Sequence, residues 1–293
     1  MKKVVVVGGS GFLGRNVADE LSDSGFSVVI FDINPSQFLR SDQEMVVGDL
    51  LDQEVISQVL CGADYVYHFA GIADIGEASK KPNETINYNI VATANLMQAA
   101  VDAKVARIIY ASTMYVYSSH GSFYRASKQA SELIIEAYHE KFAINYTLMR
   151  YGSLYGPNSQ SWNGLKRYIR EIITSGRLCY AGTGKERREY IHVNDAAKLS
   201  VKILDEQHKN KAITVTGQQI INSEDLLHMI FEIVGIKSNI QFKPTEVNSD
   251  HYLMTPYRYI PKNAKKLVPT EFIDLGQGIL EVVEEVKQEI STK

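Results

Sequence analysis

The stretch VVVVGGSGFLGRNVADEL at residues 4–21 constrains this chain more than any other. Four consecutive valines make a strand with no polar face, as a strand covered on both sides needs. The spacing of apolar residues after Phe12 is that of an amphipathic helix. Between strand and helix stand Gly8, Gly11 and Gly14. Gly8 lets the chain turn sharply, Gly11 lets backbone approach a pyrophosphate, and Gly14 lets the helix pack tightly on the strand. Free amides at the helix start, where Phe12 and Leu13 stand, then face an anion.

The spacing is GxxGxxG, and by itself it also fits a tight turn with no ligand. Asp32 narrows the choice. It ends the run SVVIFD, 18 residues beyond Gly14, near the interval of about 20 at which an acid meets the adenosine ribose of a dinucleotide. A carboxylate there accepts both ribose hydroxyls and repels a 2′-phosphate, so NAD is favoured over NADP. Asp49, in GDL before Leu50, stands at the end of the next strand. It suits either an adenine edge or the N-cap of the following helix.

The same alternation continues through the first half. Strands are expected over 3–7, 27–32, 44–47, 63–70, 107–112 and 145–150, and helices over 12–24, 53–60, 84–103 and 124–142. This order predicts an α/β, doubly wound parallel sheet (Rossmann) over residues 1–155. The loop cluster YGPNSQSWNG then opens a smaller C-terminal α/β substrate lobe over 156–293, with some exchange of segments near 185–205. Its expected helices are 165–174, 195–205, 223–234 and 274–288, with short strands at 178–181 and 212–215.

Composition excludes other classes. The 31 basic and 34 acidic residues leave a formal charge of -3, without the basic excess of a nucleic-acid binder. Only Cys61 and Cys179 occur, without CxxC spacing, so a disulfide framework or zinc site is not expected. No histidine pair has metal-ligand spacing. No run approaches the roughly 18 apolar residues of a membrane span, and a cytoplasmic protein is expected.

SFYRASKQASELIIEAYHEKF carries Tyr124 and Lys128, one helical turn apart. An ammonium beside a phenol favours the phenolate, a base that works near neutral pH. Among 17 tyrosines such a pair arises easily by chance. Upstream, IIYASTMYVYSS ends a strand at Ser112 and Thr113, after Ala111. A hydroxyl there faces the crevice where doubly wound sheets bind ligands.

The motifs GGSGFLG, Asp32, GDL, HFAG (68–71), NYNIVATANLMQAA, ASTMYVY, YRASK, RYGSLYGP and GTGKERREYIHVND occur in this order. Over most of residues 1–200 the chain resembles the extended short-chain dehydrogenase/reductases, in their NAD-dependent epimerase/dehydratase branch acting on nucleotide sugars. The resemblance implies NAD as cofactor and a nucleotide-diphosphate sugar as substrate. It makes Tyr124 the base, Lys128 its electrostatic partner, and Thr113 the hydroxyl that holds the reacting oxygen. It puts Phe69, Ala70, Gly71, Asn89, Ala111, Ser112, Tyr151 and Leu154 against the cofactor. Ser153 and Arg188 fall on the substrate, where Met114 and Tyr115 wall the sugar site or pack in the core. Read alone, Arg188 in GKERRE is a surface charge. His192, in YIHVND, is read as structural, ahead of a helix capped by Asn194 or Asp195.

The chain departs from the family in places. The 4,6-dehydratases carry Asp-Glu directly after the active threonine, where this chain has Met114 and Tyr115, so dehydration is not expected. Ser153 replaces an asparagine, and Arg258 is the candidate for the family's second arginine. The implied activity is a 4-epimerase-like nucleotide-sugar epimerase. The alternative is a nucleotide-sugar oxidoreductase. A non-catalytic dinucleotide sensor belongs to another class, and the presence of Thr113, Tyr124 and Lys128 argues against it. The resemblance also implies a homodimer through helices 84–103 and 124–142. Ile90, Ala94, Met97 and Val101 form a stripe that suits either a partner or the chain's own sheet.

Overall fold

The computed structural model describes residues 1–243 and 264–292. The first strands are β1 (Lys3–Val7), β2 (Ser27–Asp32), β3 (Gln43–Val47), β4 (Tyr65–His68), β5 (Arg107–Thr113) and β6 (Asn145–Tyr151). After them come β7 (Ser153–Tyr155), β8 (Leu178–Tyr180), β9 (Arg187–His192), β10 (Lys211–Val215), β11 (Ile220–Asn222), β12 (Ile240–Phe242) and β13 (Ala264–Leu267). The main sheet runs β3-β2-β1-β4-β5-β6-β10-β13, with every pairing parallel. The order reverses between β1 and β4, which opens a crevice at their carboxyl ends.

The valines of β1 show why this sheet forms. Val5 and Val7 enter one core, Val4 and Val6 the other. Each is at most 1% exposed, so each side chain contributes roughly 1.5–3 kcal/mol by burial. The first core lies under α2 (Gln53–Leu60), α5 (Ala92–Asp102) and α6 (Ser122–Phe142). The second lies under α1 (Phe12–Asp23) and α8 (Val193–Lys202). A third core belongs to the smaller lobe, between α7 (Gly164–Ser175), α9 (Ser223–Val234) and α10 (Leu275–Ser291).

Several expectations are corrected. The main sheet is not confined to residues 1–155, because β10 and β13 extend it beside β6. A short helix α3 (Ile75–Lys80), capped by Asp74, precedes α4 (Pro82–Ile86). The helix expected over 84–103 is present, as α4, a π turn at Asn87–Val91 and α5 in unbroken succession. The cap of α8 is His192 itself, whose Nδ1 accepts from the Asn194 amide at 3.3 Å. His192 Nε2 stands 3.1 Å from Glu281. Among the described residues no helix is long and apolar enough to cross a membrane. Nor does any group of three or more His, Cys, Asp or Glu there suit a metal.

Candidate active site

A cleft of about 810 Å³ runs along the carboxyl ends of β1, β2, β4, β5 and β6 and under the start of α7. That is the upper range for small-molecule sites, roughly 300–1,000 Å³.

One end is built by the glycine turn. Gly8 adopts φ +80, and a Cβ there would stand 2.4 Å from the Ala70 nitrogen. The β1 and β4 ends meet at that point, where Phe69 and Ala70 both donate to the Val7 carbonyl. Gly11 caps α1 with no side-chain hydrogen bond, and Gly11, Phe12, Leu13 and Gly14 line the cleft. Asp32 lines it too. Its Oδ2 accepts from the Ser10 amide and its Oδ1 from the Asn34 amide, both at 3.0 Å. These bonds fix the carboxylate and leave further lone pairs for ribose hydroxyls. A backbone cradle closed to side chains, an open helix N-terminus and an anchored carboxylate fit a dinucleotide.

Asp49, Leu50, Phe69, Ala70 and Gly71 continue this wall. Asp49 does not cap α2, since Asp52 does so from the Glu54 and Val55 amides. Instead Asp49 accepts from the Leu51 amide and the Tyr88 hydroxyl. Asn89 is a correction. It is buried within the π turn, outside the cleft lining. Its amide accepts from Ile72 N at 2.7 Å and donates to Ile72 O and Ser127 Oγ. It therefore shapes the loop after Gly71.

The middle of the cleft holds Ala111, Ser112, Thr113, Tyr115, Tyr124 and Lys128 together. Thr113 ends β5, and its Oγ1 accepts from the Tyr115 amide at 3.2 Å. Ser112 lines the cleft too and donates its hydroxyl to Glu132 at 2.5 Å. Tyr124 meets the Tyr115 ring edge-on, centroids 6.0 Å apart. Lys128 is buried, donates to the Ala111 carbonyl at 2.8 Å and sits 4.8 Å over the Tyr110 ring. Burial pushes its ammonium down to about 8, against the pull of Glu132. His68, on the neighbouring strand, is kept neutral, pushed down to about 3 by burial and by the Lys128 charge. Of its two readings, Met114 takes core packing and not the sugar-site wall. The turn Met114–Tyr117 sends it inward to Val116 and Tyr117, fully buried and off the cleft.

At the far end, Tyr151, Ser153, Leu154 and Arg188 line the wall. The Tyr151 hydroxyl is held by Ser200 Oγ at 2.6 Å, which leaves its ring and backbone to the cleft. Arg188 shares this end with Gln160, Trp162, Asn163, Arg167 and Tyr168, none of them anticipated from the sequence. Asn163 ties this segment to β7 by donating to the Leu154 carbonyl at 3.0 Å. The one available signal was Trp162, the only tryptophan of the chain, in a polar loop. Burial raises the Tyr168 hydroxyl, while Arg188 and Arg167 oppose that rise from nearby. Two guanidinium groups around one ring suit phosphate oxygens. Arg258 lies outside the described residues.

A phenol and an ammonium one turn apart, beside a hydroxyl and a dinucleotide-shaped groove, can move a proton to and from an alcohol. Known proteins resemble this chain in sequence and fold. A putative UDP-glucose 4-epimerase of Methanocaldococcus jannaschii is 25% identical over 309 residues, 97% of this chain and 98% of that protein. A UDP-N-acetyl-alpha-D-glucosaminuronate decarboxylase of Bacillus cytotoxicus is 26% identical over 271 residues, 84% of each chain. The fold matches the crystal structure of UDP-glucose 4-epimerase from Thermotoga maritima with a TM-score of 0.84 at 20% identity, over 98% of this chain and 99% of that one. Residues 4–216 match the sequence profile of the NAD dependent epimerase/dehydratase family. That single match takes in the glycine turn, Asp32, Thr113, Tyr124, Lys128 and Arg188, and the chain belongs to the NAD dependent epimerase/dehydratase family.

Proposed function

We propose that this protein is an NAD-dependent nucleotide-sugar epimerase that inverts a sugar hydroxyl in the manner of a 4-epimerase. The observation that carries the reading is that Thr113, Tyr124 and Lys128 line the same cleft as Gly8, Gly11, Gly14 and Asp32. When bound, NAD supplies reversible two-electron chemistry at a sugar carbon. Tyr124 takes the proton of the sugar hydroxyl and later returns it. The Lys128 ammonium stabilises the phenolate. Thr113 donates to the sugar oxygen as negative charge develops on it. Arg188 and Arg167 hold the diphosphate, so the sugar lies towards Tyr124. Positions 114 and 115 carry no carboxyl group, which disfavours dehydration.

Support for the substrate class comes from the relatives. The Bacillus cereus UDP-glucuronic acid 4-epimerase, in complex with UDP-glucuronic acid and NAD, matches with a TM-score of 0.82 at 22% identity over 98% of this chain and 99% of that one. The test is incubation with NAD and a panel of UDP-, GDP- and dTDP-sugars, read by proton NMR. Inversion at one carbon without free NADH is expected. NADH formed in step with substrate identifies a net oxidoreductase, and no change in any sugar defeats the proposal.

The same reading makes the protein a homodimer through α4, α5 and α6. Leu133 on α6 is 60% exposed, and Phe123 on α6, Ile86 on α4 and Val91 in the π turn are exposed as well. Within the stripe that suits either a partner or the chain's own sheet, Met97 packs in the sheet-side core, with Val101 against it.

A further inference from the structure

Behind the cleft, Glu132 is the centre of a buried polar cluster that proton transfer does not itself use. It is 2% exposed and lies four residues after Lys128 on α6. Its Oε1 accepts from Ser112 Oγ at 2.5 Å and from Arg150 Nε at 2.9 Å. Its Oε2 accepts from the Arg150 guanidinium at 2.7 Å. Arg150, equally buried, also donates to the Tyr117 hydroxyl. Each partner adjoins the cleft. Ser112 precedes Thr113 on β5, Arg150 precedes Tyr151 on β6, and Tyr117 ends the turn that carries Tyr115.

Stability alone does not account for such a cluster, since apolar residues of similar volume commonly replace a buried ion pair without loss. Charge accounts for it better. Lys128 stands one helical turn from Glu132 and one from Tyr124 on α6, lies 4.8 Å over the Tyr110 ring on β5, lowers His68 on β4 by its charge, and has Arg150 on β6 ion-paired to Glu132. Burial keeps His68 and Tyr110 neutral. Tyr146, further along β6, is held protonated in the same way. Glu132 is the carboxylate that opposes the burial penalty on Lys128.

We propose that Glu132 is a positioning residue. It keeps the buried Lys128 ammonium charged and locks the ends of β5 and β6 against α6. The proposal deepens the reading of Tyr124 and Lys128 as the proton-transfer pair, and its first test does not depend on turnover. In full-length protein carrying ¹³C-lysine, the Cε signal of Lys128 is followed from about pH 6 to about pH 11, assigned by its loss in Lys128→Met. Glu132→Gln keeps the shape and removes the charge. Its Lys128 midpoint is expected to fall by about 1 pH unit or more, and Glu132→Asp to bring it back towards the wild-type value. In turnover, the alkaline limb of kcat moves down in parallel while KM holds. A Gln variant that titrates like wild type overturns the proposal. Should that variant not fold, Arg150→Met gives the opposite sign: Glu132 without its guanidinium raises the Lys128 midpoint, and an unmoved midpoint overturns the proposal. If the titrations shift as expected but no nucleotide sugar reacts, Glu132 keeps its role and the epimerase reading fails.

Discussion

Gly14 packs directly on Gly8: a Cβ on residue 14 would stand 2.2 Å from the Gly8 carbonyl oxygen. That contact sets α1 against the end of β1 and aims the helix start into the cleft. Gly14→Ala forces helix and strand apart. The expected cost is about 1–3 kcal/mol of stability, read by urea unfolding, with weaker NAD binding read by calorimetry. An alanine variant as stable as wild type and equally tight for NAD contradicts this account of the turn.

Asp32 is anchored by two backbone amides at 3.0 Å. Its substitution by Asn tests ribose recognition but keeps only one of these two bonds, so unfolding is measured beside binding. In Asp32→Asn the charged acceptor is lost. NAD affinity is expected to drop by about 1.5–3 kcal/mol, the worth of hydrogen bonds to a charged group. NADP is expected to gain relative to NAD because its 2′-phosphate no longer meets a carboxylate. Parallel titrations with both dinucleotides decide it; an unchanged ratio removes Asp32 from cofactor selection.

Tyr124→Phe removes one oxygen and keeps the ring that stands edge-on to Tyr115. Loss of a positioned base costs roughly 10²–10⁴-fold in kcat. NAD binding is expected to persist, since the cradle of Gly8, Gly11 and Gly14 is untouched. Steady-state kinetics beside an NAD titration separate the two, and full turnover in the variant rules out Tyr124 as the base.

The pH dependence follows from Lys128. Its value in the fold, about 8, lies below the roughly 10.4 of an unfolded lysine. Between those values the unfolded chain binds the extra proton, so the contribution of Lys128 to stability rises with pH. Below about 8 its burial penalty is fully present. Activity runs the other way, because the ammonium that supports the phenolate is lost above about 8. Turnover is expected to decline through that pH. Over the same range the unfolding free energy of wild type gains on that of Lys128→Met. Unfolding curves at several pH values that run parallel for the two proteins refute this.

Leu133 is the most exposed large apolar residue on α6. A dimer through α4, α5 and α6 buries it, and Leu133→Arg then places a charge in an apolar contact. The variant is expected to elute as a monomer where wild type elutes as a dimer. Identical elution of both at the dimer position moves the interface elsewhere.

Strand and helix order was legible in the first half of the chain because the signals are local: four valines, a glycine turn, an acid at a strand end. Tyr124 and Lys128 were legible as a pair for the same reason, since four residues on a helix make one face whatever surrounds it. Tertiary structure alone decided what depends on distant partners. Ser112 and Thr113 are adjacent, yet Ser112 bonds Glu132 across to α6 while Thr113 bonds the amide of Tyr115 in the turn it caps. Met114 falls inward in that turn, and Asn89 serves the loop after Gly71 from within a π turn inside an otherwise continuous helix. The addition of β10 and β13 to the sheet, and of the segment around Trp162 to the cleft, joins residues far apart in sequence. Periodicity states which face of an element is apolar; only packing states which other element that face, and its exceptions, will meet.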